Sequence, residues 1–177
     1  MQLWRALFPA VELWEAEQDA HCVRRSRERG QLEGIHVVVG DQADRTVLTQ
    51  WMRESGGGFD AIIDDGGHQN HQLLTSFDAL WPHVRPGGLY FLEDLHVGRH
   101  QDGAGATRAP AVADVMQAWM RQLVQPAGAR SGTAAAHPDD PHDGETDRDL
   151  NRDPAPALPS DVRFVACQAQ ACVVAKL

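Results

Sequence analysis

Short apolar runs and segments of helical period take turns along the first hundred residues, and that alternation constrains the fold more than any other feature of the chain. "GIHVVVGD" around residues 35–39, "FDAIID" at Phe59–Asp64 and "LYFLED" at residues 89–94 read as buried strands. Between them, residues 43–54 carry Val47, Leu48, Trp51 and Met52 at helical spacing, and Leu73, Leu74, Phe77, Leu80, Trp81 and Val84 mark an amphipathic helix that "RPGG" ends. Upstream, "QLWRALF" puts Leu3, Trp4 and Leu7 on one helical face, "AVELW" is a short strand ending at Glu15, and a charged helix over 19–29 is closed by Gly30. Strand and helix in strict turn predict an α/β fold built on a doubly wound, mostly parallel sheet.

Beyond residue 95 the pattern changes. "HVGRHQDGAGATRAP" reads as a loop, and Val112, Val115, Met116, Trp119, Met120 and Leu123 form a helical stripe. Residues 131–160 hold seven acidic residues and two arginines, a net of −5 out of the chain's −9. So little apolar surface cannot offset the entropy of ordering, which predicts an unstructured insertion. Its "HPDDPHDGETD" reads as solvated side chains rather than a metal cluster. "DVRFVACQAQACVVAKL" then alternates as two strands around a "QAQ" turn. The expected organisation is an α/β core over 1–125, the acidic insertion over 126–160, and a C-terminal hairpin of the same domain over 161–177.

Composition narrows the function. A net charge of −9 with no block of Lys and Arg argues against nucleic acid or an anionic membrane as partner and favours a small molecule. No run approaches the roughly 20 apolar residues of a membrane span, and "MQLWRALFPA" has no signal-like core, so a cytoplasmic location is expected. Three cysteines without a CxxC pair argue against a disulfide framework and point to a reducing compartment. Homo-oligomerisation stays open.

In an open α/β sheet, ligands bind at the carboxyl ends of the strands. Asp64 and Asp65 end one strand, Glu93 and Asp94 the next. Neighbouring strands lie roughly 4.8 Å apart, so up to four carboxylates crowd one edge. A divalent cation relieves that repulsion, and oxygen ligands suit Mg²⁺. Gly66 and Gly67 allow a tight turn to His68, an imidazole base that can take a proton from a metal-bound hydroxyl. The plainer alternative is a turn in which an Asp caps the following helix.

The stretch "FDAIIDDGGHQNHQLLTSFDALWPHVRPGGLYFLEDLH" resembles the macrocin-type O-methyltransferases, which use S-adenosylmethionine to methylate sugar hydroxyls of macrolides, and related cephalosporin-hydroxylase-like and rhamnosyl O-methyltransferase sequences. The resemblance implies a Rossmann-like class I methyltransferase fold, Asp65, Glu93 and Asp94 as Mg²⁺ ligands, and His68 as general base. "GDQAD" resembles the adenine-side segment, implicating Asp41 and Gln42. Glu15 takes the place of the ribose-binding acid, with Glu17 near enough to compete, and Asp64 is assigned to the cofactor side. Asp41 as a helix cap is the alternative for that residue.

The family's first strand and its Gly-rich loop have no counterpart in this sequence. Because that strand lies between "AVELW" and "FDAIID" in the family's sheet, either a gap or a re-paired sheet is expected. Three functions follow: an Mg²⁺-assisted, S-adenosylmethionine-dependent O-methyltransferase for a sugar or polyol hydroxyl; an inactive remnant that keeps fold or metal; and an oxygenase-like activity, disfavoured by the lack of two metal-binding histidines.

Overall fold

The computed structural model describes residues 2–100, 109–125 and 154–177. In chain order these form α1 (Gln2–Leu7), β1 (Trp14–Glu17), α2 (Ala20–Glu28), β2 (His36–Val39), α3 (Arg45–Ser55), β3 (Phe59–Asp64), α4 (Asn70–Leu80), β4 (Val84–Leu92), α5 (Val97–His100), α6 (Val112–Val124), β5 (Val162–Gln168) and β6 (Ala171–Lys176), with a 3₁₀ turn at Trp81–His83 before β4. The alternation read from the sequence is present, and its local causes are visible. Asp19 accepts the His21 N–H at 2.7 Å to start α2, Asp44 accepts the Thr46 N–H at 2.8 Å to start α3, and Gly56 ends α3 in the left-handed conformation at φ 77°.

Two boundaries differ from expectation. β1 begins at Trp14, not at Ala10, because only Trp14 to Glu17 find partners, in parallel register with His36 to Val39; the Trp14 ring stacks on the His36 imidazole at 4.5 Å. Glu15 therefore lies inside the strand, and Glu17 ends it. β4 takes in "RPGG" instead of starting after it. Phe59 pairs with Val84 and Ala61 with Leu89, so residues 85–88 bulge opposite Asp60, with Gly87 at φ 78° and Arg85 paired with Asp60.

The described strands form two sheets rather than one. β1 and β2 pair in parallel by themselves, while β3, β4, β6 and β5 make a four-stranded sheet in that order, parallel at β3–β4 and antiparallel across the hairpin. Of the two outcomes expected, the gap is the one realised. Among the described residues β3 bonds only to β4, and its other edge is open.

Most of the core lies on one face of the larger sheet, continued by Val38 of β2 and Leu48 and Trp51 of α3. Ile62, Tyr90, Leu92, Cys172, Val174 and Val165 share that face with Leu73, Phe77 and Leu80 of α4 and Val115, Met116 and Trp119 of α6. Phe77 is its centre, with Trp81, Tyr90 and Trp119 at 5.2, 5.0 and 5.3 Å. Burying each such side chain contributes about 1.5–3 kcal/mol. Trp51, Trp81 and Trp119 are buried, as core residues rather than stacking platforms. Two-residue alternation sends Ala61, Ile63, Leu89, Phe91, Val173, Phe164 and Ala166 to the opposite face, where all are exposed or half-buried; Ile63 is 41% and Phe164 44% exposed.

The hairpin also corrects the cysteine reading. Cys167 and Cys172 stand opposite one another across the Ala169–Gln170 turn and form a disulfide, leaving Cys22 free. Cysteines five apart in "CQAQAC" are the sequence signal of that pairing. Lys176 closes the hairpin onto the body, donating to the Trp81 carbonyl at 2.9 Å and pairing with Asp161 at 3.4 Å. Of the segment expected to be unstructured, 126–153 lies outside the described residues, and so does "HPDDPHDGETD". Residues 154–160 pack on the body: the Pro156 carbonyl accepts the Trp119 indole N–H at 2.9 Å and Leu158 lies against the core. No helix among the described residues is long and apolar enough to cross a membrane.

Candidate metal and base centre

Two parallel strands end side by side, and the backbone just past them is tied together. β3 ends at Asp64 and β4 at Leu92, and the Glu93 N–H donates to the Asp64 carbonyl at 3.0 Å. The next residues, Asp65 on one side and Asp94 on the other, thereby face each other. His68 stands between them, its Nε2 3.9 Å from Asp65 Oδ1 and 3.7 Å from Asp94 Oδ2. One ligand atom from each of Asp65, His68 and Asp94 lies within 4.8 Å of the others. Asp65 is exposed; His68 and Asp94 are half-buried.

This convergence is built from unusual backbone. His68 at φ 55°, Asp94 at φ 52° and Gln170 at φ 73° are the non-glycine residues with left-handed φ among those described. The first two belong to the cluster, and the third buttresses it: the Gln170 carbonyl at the hairpin tip accepts the Leu95 N–H at 2.8 Å. Such conformations cost about 1–3 kcal/mol each and persist where the surroundings impose them. His96 stands outside, half exposed, with Nδ1 3.9 Å from Asp94 Oδ1.

Two carboxylates with an open, exposed side fit a hard dication, and the imidazole stands beside them. His68 Nδ1 is buried without a hydrogen-bond partner, and Nε2 is the ring nitrogen turned to the carboxylates. The Glu93 carboxylate is not among the atoms that converge, although its backbone holds the two loops in register.

Beneath the cluster lies a polar network, centred on the first of the paired aspartates. Asp64 is 8% exposed, and its carboxylate accepts from Gln42 Nε2 at 2.9 Å, from Tyr90 Oη at 3.0 Å and from Ser76 Oγ in a very short bond. Burial raises its pKa above the usual carboxylate value, against the lowering effect of the bonds from Ser76, Gln42, Tyr90 and the Gly66 backbone. Tyr90 is wholly buried and held well above its ordinary range by desolvation and by the neighbouring Asp64 charge, so it stays a donor. The Gln42 carbonyl oxygen accepts the Gly67 N–H at 2.7 Å. A Cβ at Gly66 would collide with Gln42, and one at Gly67 with Gln72. A side chain at either glycine would thus displace one of these amides.

The other residues singled out from sequence are more scattered. Asp41 accepts the Ala43 N–H at 2.8 Å in the turn before α3, while Asp44 is that helix's cap. Glu15 is half-buried, and desolvation followed by the Glu17 charge raises its pKa. Glu17 itself accepts the Asp19 N–H at 2.9 Å. Sequence reasoning missed Ser76, Tyr90 and Asn70. Ser76 is a polar interruption in the apolar stripe of α4, which is a readable signal; Asn70 gives none. Its amide donates to the Gly98 carbonyl at 2.9 Å and its oxygen accepts the Val112 N–H at 3.0 Å, joining α4, α5 and α6.

Comparison with known proteins gives a consistent picture. The chain is 48% identical over 81 residues to the demethylmacrocin O-methyltransferase of Streptomyces fradiae, a match covering 46% of this chain and 20% of that protein. It is 40% identical over 96 residues to the mycinamicin VI 2''-O-methyltransferase of Micromonospora griseorubida, covering 54% and 22%. Two solved structures of the MycE methyltransferase from the mycinamycin biosynthetic pathway, one in complex with Mg and SAH and one with Mg, SAH and mycinamycin VI, match at a TM-score of 0.64. Their identities are 25% and 24%, over 99% of this chain and 39% of theirs. The chain thus spans about two-fifths of those structures, and its matches to the curated relatives about a fifth of their length. Residues 6–95, half of the chain, match the family model described as a methyltransferase domain, and the chain belongs to that family.

Proposed function

We propose that this chain carries the metal and base half of an S-adenosylmethionine-dependent, Mg²⁺-assisted O-methyltransferase acting on a hydroxyl of a sugar or glycosylated natural product. The observation that carries the reading is the convergence of Asp65, His68 and Asp94 at the ends of β3 and β4. The relatives named above, O-methyltransferases of demethylmacrocin and mycinamicin VI, support the substrate class.

In this reading Asp65 and Asp94, with Glu93 assigned as a further ligand, would hold Mg²⁺, and the ion would supply Lewis acidity toward the acceptor. His68 then takes the hydroxyl proton at Nε2. For that, the neutral ring carries its own hydrogen on Nδ1, the buried atom. Gly66 and Gly67 bring the base round to the carboxylates, and the exposed side of Asp65 admits the acceptor. The residues this reading assigns to the cofactor are Glu15 and Asp41, at or near the carboxyl ends of β1 and β2, with Gln42 and Asp64. The described residues fit S-adenosylmethionine only in part. They supply no glycine-rich turn for its methionine end, and no transfer step is derived through it.

The test is transfer of a labelled methyl group from S-adenosylmethionine to mycinamicin VI, with and without Mg²⁺. Transfer that disappears with EDTA and in His68→Gln supports the reading. Folded protein that gives no transfer and no heat with the cofactor supports a second reading, a binding remnant that keeps the metal site. The open edge of β3, where the sheet is divided, is the observation in favour of that alternative.

A further inference from the structure

We infer that Gln42 is the positioning residue of the acidic cluster, a single side chain that fixes the backbone bearing Asp65 and His68. The inference rests on the metal-site reading for its functional meaning and on geometry for its substance. Gln42 lies in the loop after β2, in the smaller sheet, yet both ends of its amide are spent on the turn after β3: Nε2 donates to Asp64 at 2.9 Å and sits 3.3 Å from Ser76 Oγ, while Oε1 accepts the Gly67 N–H at 2.7 Å. Gly67 directly precedes His68. Asp64 directly precedes Asp65.

The polarity of this link is fixed. Asp64 also receives hydroxyl donors from Ser76 and Tyr90, so it presents an acceptor to Gln42; that orients the amide and leaves its oxygen for Gly67. The bare glycines complete the fit, since a side chain at Gly66 would occupy the space of the Gln42 amide. Among the described residues no strand pairing joins β2 or its sheet to β3, so this amide is the polar connection between the two halves of the molecule at the cluster. Partners that orient metal ligands in this way are worth about 10–100-fold in metal affinity.

The experiment compares wild type with Gln42→Met, Gln42→Glu and the exchange pair Gln42→Glu with Asp64→Asn. The exchange reverses donor and acceptor: the amide now at position 64 would donate to the carboxylate now at position 42, whose other oxygen would still accept from Gly67. Two quantities are measured on folded protein, Mn²⁺ affinity by electron paramagnetic resonance and the Gly67 amide exchange rate by NMR, with thermal midpoints recorded separately. Both single variants should weaken Mn²⁺ binding about tenfold and speed Gly67 exchange, and the exchange pair should recover both. Unchanged affinity and exchange in Gln42→Met, or no recovery in a folded exchange pair, would overturn the inference. If wild type binds no Mn²⁺, the metal reading fails, and the Gly67 rates in the same variants still decide whether Gln42 holds the turn.

Discussion

At the scale of single residues, the adjacent aspartates after β3 have opposite surroundings. Asp64 follows the inward parity of Ile62 and is buried among donors; Asp65 turns outward to the cluster. Parity is legible in "FDAIIDD" once the strand is recognised, but what fills the interior is not, because Ser76 and Tyr90 arrive from elements 12 and 26 residues away. That is why sequence reasoning places Asp64 and Gln42 on the cofactor side without seeing that their hydrogen bonds also build the floor of the turn. The raised pKa of Asp64 gives a prediction with a definite sign. The folded state holds this proton more tightly than the unfolded chain, so the group's stabilising effect is full below the ordinary carboxylate value of 3.8 and is lost as pH rises through the raised value. Urea denaturation across that window should show a slope of at most about 1.4 kcal/mol per pH unit from this group, and Asp64→Asn should abolish that component.

Among the elements, helices and strands are readable where one period dominates a segment. β3 and the start of α6 fall where periodicity places them. β1 and β4 differ because partners decide strand ends: Trp14 has His36 to stack on, and Val84 has Phe59 to pair with despite the nearby proline. Long-range ties such as Asn70 carry no sequence pattern at all. Asn70 is buried and satisfies a backbone carbonyl in α5 and the first N–H of α6. Asn70→Ala should therefore cost about 2 kcal/mol in unfolding free energy. The same variant should loosen the segment that follows Asp94, seen as faster amide exchange at Val112.

For the molecule as a whole, the alternation of strands with helices does announce an α/β body with a closing hairpin. The division of the sheet is foreseen only as one of two outcomes, since pairing is a property of neighbours rather than of a segment. Its consequence is an apolar sheet face without a covering helix among the described residues, running from Ile63 through Phe91 and Val173 to the hairpin, beside an open strand edge. Exposed faces of that kind promote association. Light scattering should show self-association that grows with protein concentration, and a variant combining Ile63→Thr with Phe164→Thr should remain monomeric at concentrations where wild type does not.

The central claim is that Asp65 and Asp94 form one dication site with His68 beside it as base. A titration of the protein with Mn²⁺, followed by electron paramagnetic resonance, tests it most directly. The account predicts a single saturable site that Mg²⁺ displaces and that Asp94→Asn and Asp65→Asn each weaken at least about tenfold. Binding that neither substitution changes, or no binding by folded protein, would contradict it.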